Sequence, residues 1–210
     1  MRCCSSARPL WAVSGRRPAG KNRLTPSTTS GAKGRRDPGG TPVKLTSLQD
    51  VFVEQLADLV SAERQLLEAL PKMATAASTP DLLNAIEEHL DETREHVARL
   101  ERVYELANLP ATDEECEAMK GLIREGDEVV QADGDPIARD VALIASAQRV
   151  EHYEIAAYGT VRELAKQLDL SEVASILDDT LIEETAADER LTRIATGGLF
   201  TGGVNEKAAR

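Results

Sequence analysis

Leu56-Ala57-Asp58-Leu59-Val60-Ser61-Ala62-Glu63-Arg64-Gln65-Leu66-Leu67-Glu68-Ala69-Leu70 is the stretch on which the reading of the fold turns. At ~100° per residue, Phe52, Leu56, Leu59, Leu67 and Leu70 share one helix face and Glu63 points near its centre. Glu54 and Glu68 point away from that face. A carboxylate so placed is costly to bury unless it is neutral, paired or bound to metal. The helix should run from about Ser47 to about Ala76, capped by Thr46 or Ser47, with Pro71 expected to kink it or end it early.

Working outward, Ser78-Thr79-Pro80-Asp81 is a start signal for a second long helix reaching about Ala107. Its apolar stripe reads Leu83, Ile86, Leu90, Thr93, Val97, Leu100 and Tyr104. Residues 110–135 open acidic and then present Met119, Leu122, Ile123, Val129 and Val130, a shorter helix weakened by Gly121 and Gly126. Asp135-Pro136 opens a third long helix to about Leu168. Ser171 caps a fourth, with Val173, Leu177, Leu181, Leu191 and Ile194 on its core face, ending near Ala195 before Gly197-Gly198. The pattern predicts an all-α four-helix bundle with a short extra helix in the long crossover between the second and third long helices.

Charge divides the chain. The net −11 is +9 over residues 1–44, which hold ten Lys/Arg and one acid, and −20 over 45–210. Residues 1–44 are rich in Gly, Pro, Ser, Thr and Arg without periodicity and read as a disordered basic extension. The same composition fits an organelle transit peptide, or a start upstream of a true one near Val43. The bundle is expected over 45–196 and a flexible tail over 197–210. A domain this acidic is a poor non-specific binder of nucleic acid. No apolar run approaches the ~18 residues of a membrane span. Cys3 and Cys4 lie in the extension and only Cys116 in the domain, so no thiolate zinc spacing exists, Cys116 reads as an inert or exposed thiol, and a reducing, cytoplasmic setting fits.

Polar residues recur at the depth of Glu63. In the third long helix Glu151 falls between Gln148, Ile155 and Tyr158, and Glu154, three residues on, points to nearly the same side. Two carboxylates so close repel, which raises one pKa unless a cation lies between them. In the fourth, Glu184 and Asp188 lie between Leu177, Leu181 and Leu191, while Glu183 and Glu189 point elsewhere. In the second, His89 and His96 flank the stripe at roughly 50–70° from its centre and Glu92 lies roughly 110° off. A local echo of Asp91-Glu92-Thr93 in Glu183-Glu184-Thr185 favours Glu92 with His96, whereas the stripe favours His89 with His96; all three stay candidates. Glu63, His89, Glu92, His96, Glu151, Glu154, Glu184 and Asp188 thus make a candidate ligand set of the di-iron carboxylate kind. Oxygen donors with one or two imidazoles suit Fe, alternatively Mn, better than Cu, and Zn is compatible.

At these residues the chain resembles the ferritin-like superfamily, and more closely the YciF-like stress-associated family, over about Val43 to Ala195. The resemblance rests on Lys44-Leu45-Thr46-Ser47-Leu48-Gln49-Asp50, Ser61-Ala62-Glu63-Arg64-Gln65-Leu66, Leu70-Pro71-Lys72-Met73, Glu88-His89-Leu90-Asp91-Glu92-Thr93 and Val150-Glu151-His152-Tyr153-Glu154-Ile155. It implies a ferritin-like bundle and a rubrerythrin-like ligand pattern, matched by position at Glu63, Glu151, Glu154 and Glu184. The chain departs from that pattern where Glu92 and His96 stand one residue further apart and where Asp188 replaces a His. The cysteine module that feeds electrons to rubrerythrins has no counterpart here. Two expectations follow: a di-iron or di-manganese stress-response protein that handles oxygen, peroxide or ferrous iron, or a non-enzymatic helical interaction module with a vestigial site. A homodimer is expected in either case, and no catalytic residue beyond the ligand set is singled out.

Overall fold

Among the described residues, a computed structural model has six helices: α1 (Leu48–Ala76), α2 (Pro80–Ala107), α3 (Glu117–Val130), α4 (Pro136–Gln167), α5 (Ser171–Thr196) and α6 (Val204–Ala208). The structure describes residues 45–198 and 201–210; the basic extension expected over 1–44 lies outside them. The one non-helical pairing among the described residues is a two-residue antiparallel bridge, β1 (Gly197–Gly198) with β2 (Thr201–Gly202).

The helix starts follow local chemistry. Ser47 accepts from the Asp50 N–H and the Asp50 carboxylate accepts from the Ser47 N–H, a reciprocal capping box. Asp135 caps α4 through the Ile137 and Ala138 N–H groups. The cap of α5 is Leu170 rather than the expected Ser171, and it makes no side-chain cap bond. Nor does Pro71 end α1. The proline removes one helical N–H, but Met73, Ala74 and Ala76 beyond it pack on the core and carry the helix on.

Buried positions in α1 recur at 52, 56, 59, 63, 66 and 70, and in α2 at 82, 86, 89, 93, 96, 100, 103 and 107, the alternating spacing of bundle seams. α1 neighbours α2 and α4, and α5 neighbours α2 and α4, leaving α1 and α5, like α2 and α4, diagonal. One apolar cluster joins Leu70, Leu82, Leu143 and Leu191. A second joins Phe52, Val103, Val161 and Val173. Neighbouring helices are therefore antiparallel, and the chain from 108 to 135 must return along the whole bundle. α3 covers the half of that distance beside the first apolar cluster, packed against α1 and α4. Ser61 Oγ accepts from the Cys116 N–H, and Gln65 donates to the Cys116 carbonyl, so the crossover is tied down on either side of Glu63.

The segment expected as a tail is built into the domain: Val204 on α6 is buried in the first apolar cluster. Gly203 permits this approach, because a Cβ there would lie 2.2 Å from the Ala195 carbonyl oxygen. Opposite it in sequence logic, fully buried Asp140 on α4 accepts from the Ser78 and Thr79 N–H groups, at 2.8 Å each, and fixes the α1–α2 connection. Two charge-assisted bonds to one buried carboxylate make Asp140→Ala costly, by about 2–4 kcal/mol in urea unfolding. A loss below about 0.5 kcal/mol, the size of an ordinary surface change, would show that the loop is held by other contacts.

Candidate metal centre

Between the two apolar clusters the bundle carries a layer of buried polar side chains, one or two from each long helix. α1 contributes Glu63, α2 His89 and His96, α4 Glu151 and Glu154, α5 Glu184, and none is more than 6% exposed. The helices deliver these groups on the same seam positions that deliver leucine and valine above and below. Burial is therefore imposed by the pattern, and the cost falls on the side chains.

Two groups of donor atoms form. His89, Glu151, Glu154 and Glu184 each place a ligand-type atom within 4.8 Å of the others, and so do Glu63, His96 and Glu184. Glu184 belongs to both. His96 Nδ1 lies 3.0 Å from Glu184 Oε1 and 3.4 Å from Glu63 Oε1. His89 Nε2 lies 3.5 Å from Glu151 Oε1. Nine buried atoms of this layer lack a hydrogen-bond partner: Glu63 Oε2, both nitrogens of His89, His96 Nδ1, Glu151 Oε2, and both oxygens of Glu154 and of Glu184. A buried polar group without a hydrogen bond costs about 1–3 kcal/mol, only partly offset here by the His–Glu pairs at 3.0–3.5 Å, so the layer is short of a partner. The donor set, carboxylate oxygens with two imidazoles, is the one that Fe and Mn take, and the residues could hold a metal ion.

Electrostatics agree. Burial raises the Glu63 carboxyl, even though His96 opposes it. Burial raises Glu154 well above the ordinary range, reinforced by the neighbouring charges of Glu184, Glu63 and Glu151. Glu151 is pushed up to about 8 by burial, against the pull of His89. Burial alone would lower both imidazoles, but the surrounding carboxylates outweigh it. His89 rises to about 9, chiefly through Glu151, Glu92 and Glu184, and His96 to about 11 through Glu184 and Glu63.

Not every sequence candidate joins these groups. Glu92 is half-buried on the flank of α2, its carboxylate 3.6 Å from His89 Nδ1. Asp188 is half-buried on the flank of α5, where it accepts from Gln148 and lies 3.6 Å from the exposed His152. The central α5 position after Glu184 is Ala187. In α2 the stripe is rotated from the expected one: Leu83, Leu90, Val97 and Tyr104 are half-buried, and His89 and His96 occupy its centre.

One functional contact escaped the sequence reading. Glu183, expected to point elsewhere, accepts from His96 Nε2 at 2.9 Å and is held by the Arg99 guanidinium. This bond fixes the ring so that Nδ1 faces the carboxylates. Tyr158 donates to Glu63 Oε1. Cys116 is buried, 3.0 Å from the Tyr153 hydroxyl, rather than exposed.

The family described as a domain of unknown function, DUF892, matches residues 47–209. Protein YciF of Escherichia coli (strain K12) is 44% identical over 167 residues, which are 79% of this chain and 98% of that protein. The crystal structure of the E. coli stress protein YciF matches with 46% identity and a TM-score of 0.69, over 70% of this chain and 94% of that one. YcfI of Rhodopseudomonas palustris, which carries the working description of a structural protein, matches with 37% identity and a TM-score of 0.69, over 71% of this chain and 96% of that one.

Proposed function

The chain belongs to the YciF-like DUF892 family, and from that premise we propose that it is a ferritin-like di-metal protein of stress protection, acting on ferrous iron or on oxygen and peroxide. The observation that carries this reading is the set of nine buried donor atoms that make no hydrogen bond, gathered in one layer. His89, Glu151, Glu154 and Glu184 would hold one metal, and Glu63, His96 and Glu184 the other, with Glu184 shared. Half-buried Glu92, 3.6 Å from His89 Nδ1, would add a ligand beside that ring, and Asp188 would act only through its hydrogen bond with Gln148. Bound iron, alternatively manganese, would supply one-electron redox chemistry to the layer.

The chain's own residues do the rest. Glu183 orients His96 by taking its Nε2 proton in a hydrogen bond, and Tyr158 steadies Glu63. The two apolar clusters keep bulk water from the layer on both sides. The reading extends to a homodimer in a reducing cytoplasm. No helix among the described residues is long and apolar enough to cross a membrane.

A second reading, a non-enzymatic helical module with a vestigial site, is favoured by one feature. The imidazoles of His89 and His96 lie among the four carboxyls, so protons alone can neutralise much of the layer. Ferrous oxidation separates the two. Glu151→Ala is expected to slow oxidation by the wild-type chain at least ~100-fold, the scale of losing a ligand or its supporting shell. Equal rates in the two proteins would leave only the non-enzymatic reading.

A further inference from the structure

Two cavities meet at Glu151. The inner one, about 20 Å³, lies between α1, α2, α4 and α5 with His89 and Glu151 in its wall. The outer one, about 30 Å³, lies beneath α3. Leu70, Met73, Ala147 and Glu151 line both, so one partition separates them. Each exceeds the ~10–15 Å³ that a single water-sized molecule needs.

Small residues hold this space open. Ala147 stands at the partition, and Ala187 in the inner wall. Gly126 of α3 faces the partition from outside: a Cβ there would lie 3.9 Å from Met73 Cε. Met73 is half-buried and unbranched, the kind of side chain that can swing aside. The outer cavity's walls are mainly aliphatic, whereas the inner one also has His89, Glu92, Glu151 and Arg190 in its wall, and aliphatic voids stay dry. A hydrated cation or hydrogen peroxide crossing the outer cavity would leave most of its hydrogen-bonding groups unpaired. A small neutral apolar molecule leaves none.

We propose that the paired cavities beneath α3 form a passage that admits dioxygen, rather than peroxide, to the His89–Glu151 side of the polar layer. The use of that gas rests on the metal reading above; the passage itself is a property of the protein and is tested separately. Crystals of the metal-free full chain under krypton pressure are expected to show gas density in the inner cavity, and Ala147→Leu is expected to abolish it. In iron-loaded protein the same substitution is expected to slow dioxygen-driven ferrous oxidation ~10-fold or more by closing access, with iron content and peroxide-driven oxidation unchanged. Gly126→Leu, which plugs only the outer cavity, gives the same split and stands in if the larger core residue prevents folding. Absence of krypton from the wild type would overturn the passage. So would dioxygen rates that neither variant lowers, and an equal fall with peroxide would overturn the assignment to dioxygen. A chain that takes up krypton but no metal would refute the metal reading and leave the cavity intact.

Discussion

Glu154→Leu is expected to stabilise the metal-free chain at pH 7 by about 3 kcal/mol, the range in which apolar replacements of buried charged groups fall. Glu154 is fully buried and neither carboxylate oxygen has a partner. Its folded-state pKa is raised, by burial first and by three neighbouring carboxylates after it. The sign follows by linkage. A group whose pKa rises on folding gives full stability below its unfolded value, near 4.5, and loses it as the pH climbs toward its folded value. The advantage of the leucine variant should therefore be small at pH 4.5 and widen by up to about 1.4 kcal/mol per pH unit above it. For a chain of this size about 3 kcal/mol corresponds to ~6–12 °C in melting temperature. Calorimetry in the presence of a chelator decides it. A variant less stable than wild type at pH 7 would mean that Glu154 has a structural partner in the metal-free fold. The same substitution removes a donor from the His89 group, so stability and metal uptake should move in opposite directions, as they do where a site is kept for function.

Loading the metal-free protein with Mn²⁺ should have the larger effect. Two sites, each filled at about a hundred times its dissociation constant, add about 5 kcal/mol in all. That raises the melting temperature by ~10–20 °C in a chain of this length. Uptake should also release protons near pH 7, because His96, His89 and Glu151, at about 11, about 9 and about 8, hold theirs until a metal displaces them. Titration calorimetry in buffers of different ionisation enthalpy measures the number. No shift in melting temperature and no proton release would leave the layer a self-neutralised structural element.

Much of this was legible in the sequence, and the errors share one cause. The helices, the crossover and the buried position of Glu63 follow from apolar spacing and from cap residues. Stripes drawn through the largest apolar residues, however, placed α2 and α5 off their true faces. α5 buries Thr180, Ala187 and Ala195 and leaves Leu181 and Ile194 half-buried. Small residues sit where helices approach closely, and long aliphatic side chains can cover a seam from its flank. Counting His89, Thr93 and His96 as seam positions of α2, on the 4-3-4 spacing that already held Leu82, Ile86, Leu100 and Val103, would have centred the stripe correctly. The same spacing favours Ala187 over Asp188. Glu183 was beyond such a count, because its role depends on Arg99 and His96 of another helix. The packing of Val204 depends on the close approach that Gly203 permits, which no periodicity records.

Metal content per chain tests the central claim most directly, on protein expressed with added Fe and Mn, for the wild type and for Glu184→Ala. Glu184 is the carboxylate common to both donor groups. The account predicts about two Fe or Mn per wild-type chain, the complement of a di-metal bundle, and near-complete loss of both in the variant. A wild-type chain without metal, matched in fold and thermal stability by Glu184→Ala, would contradict it.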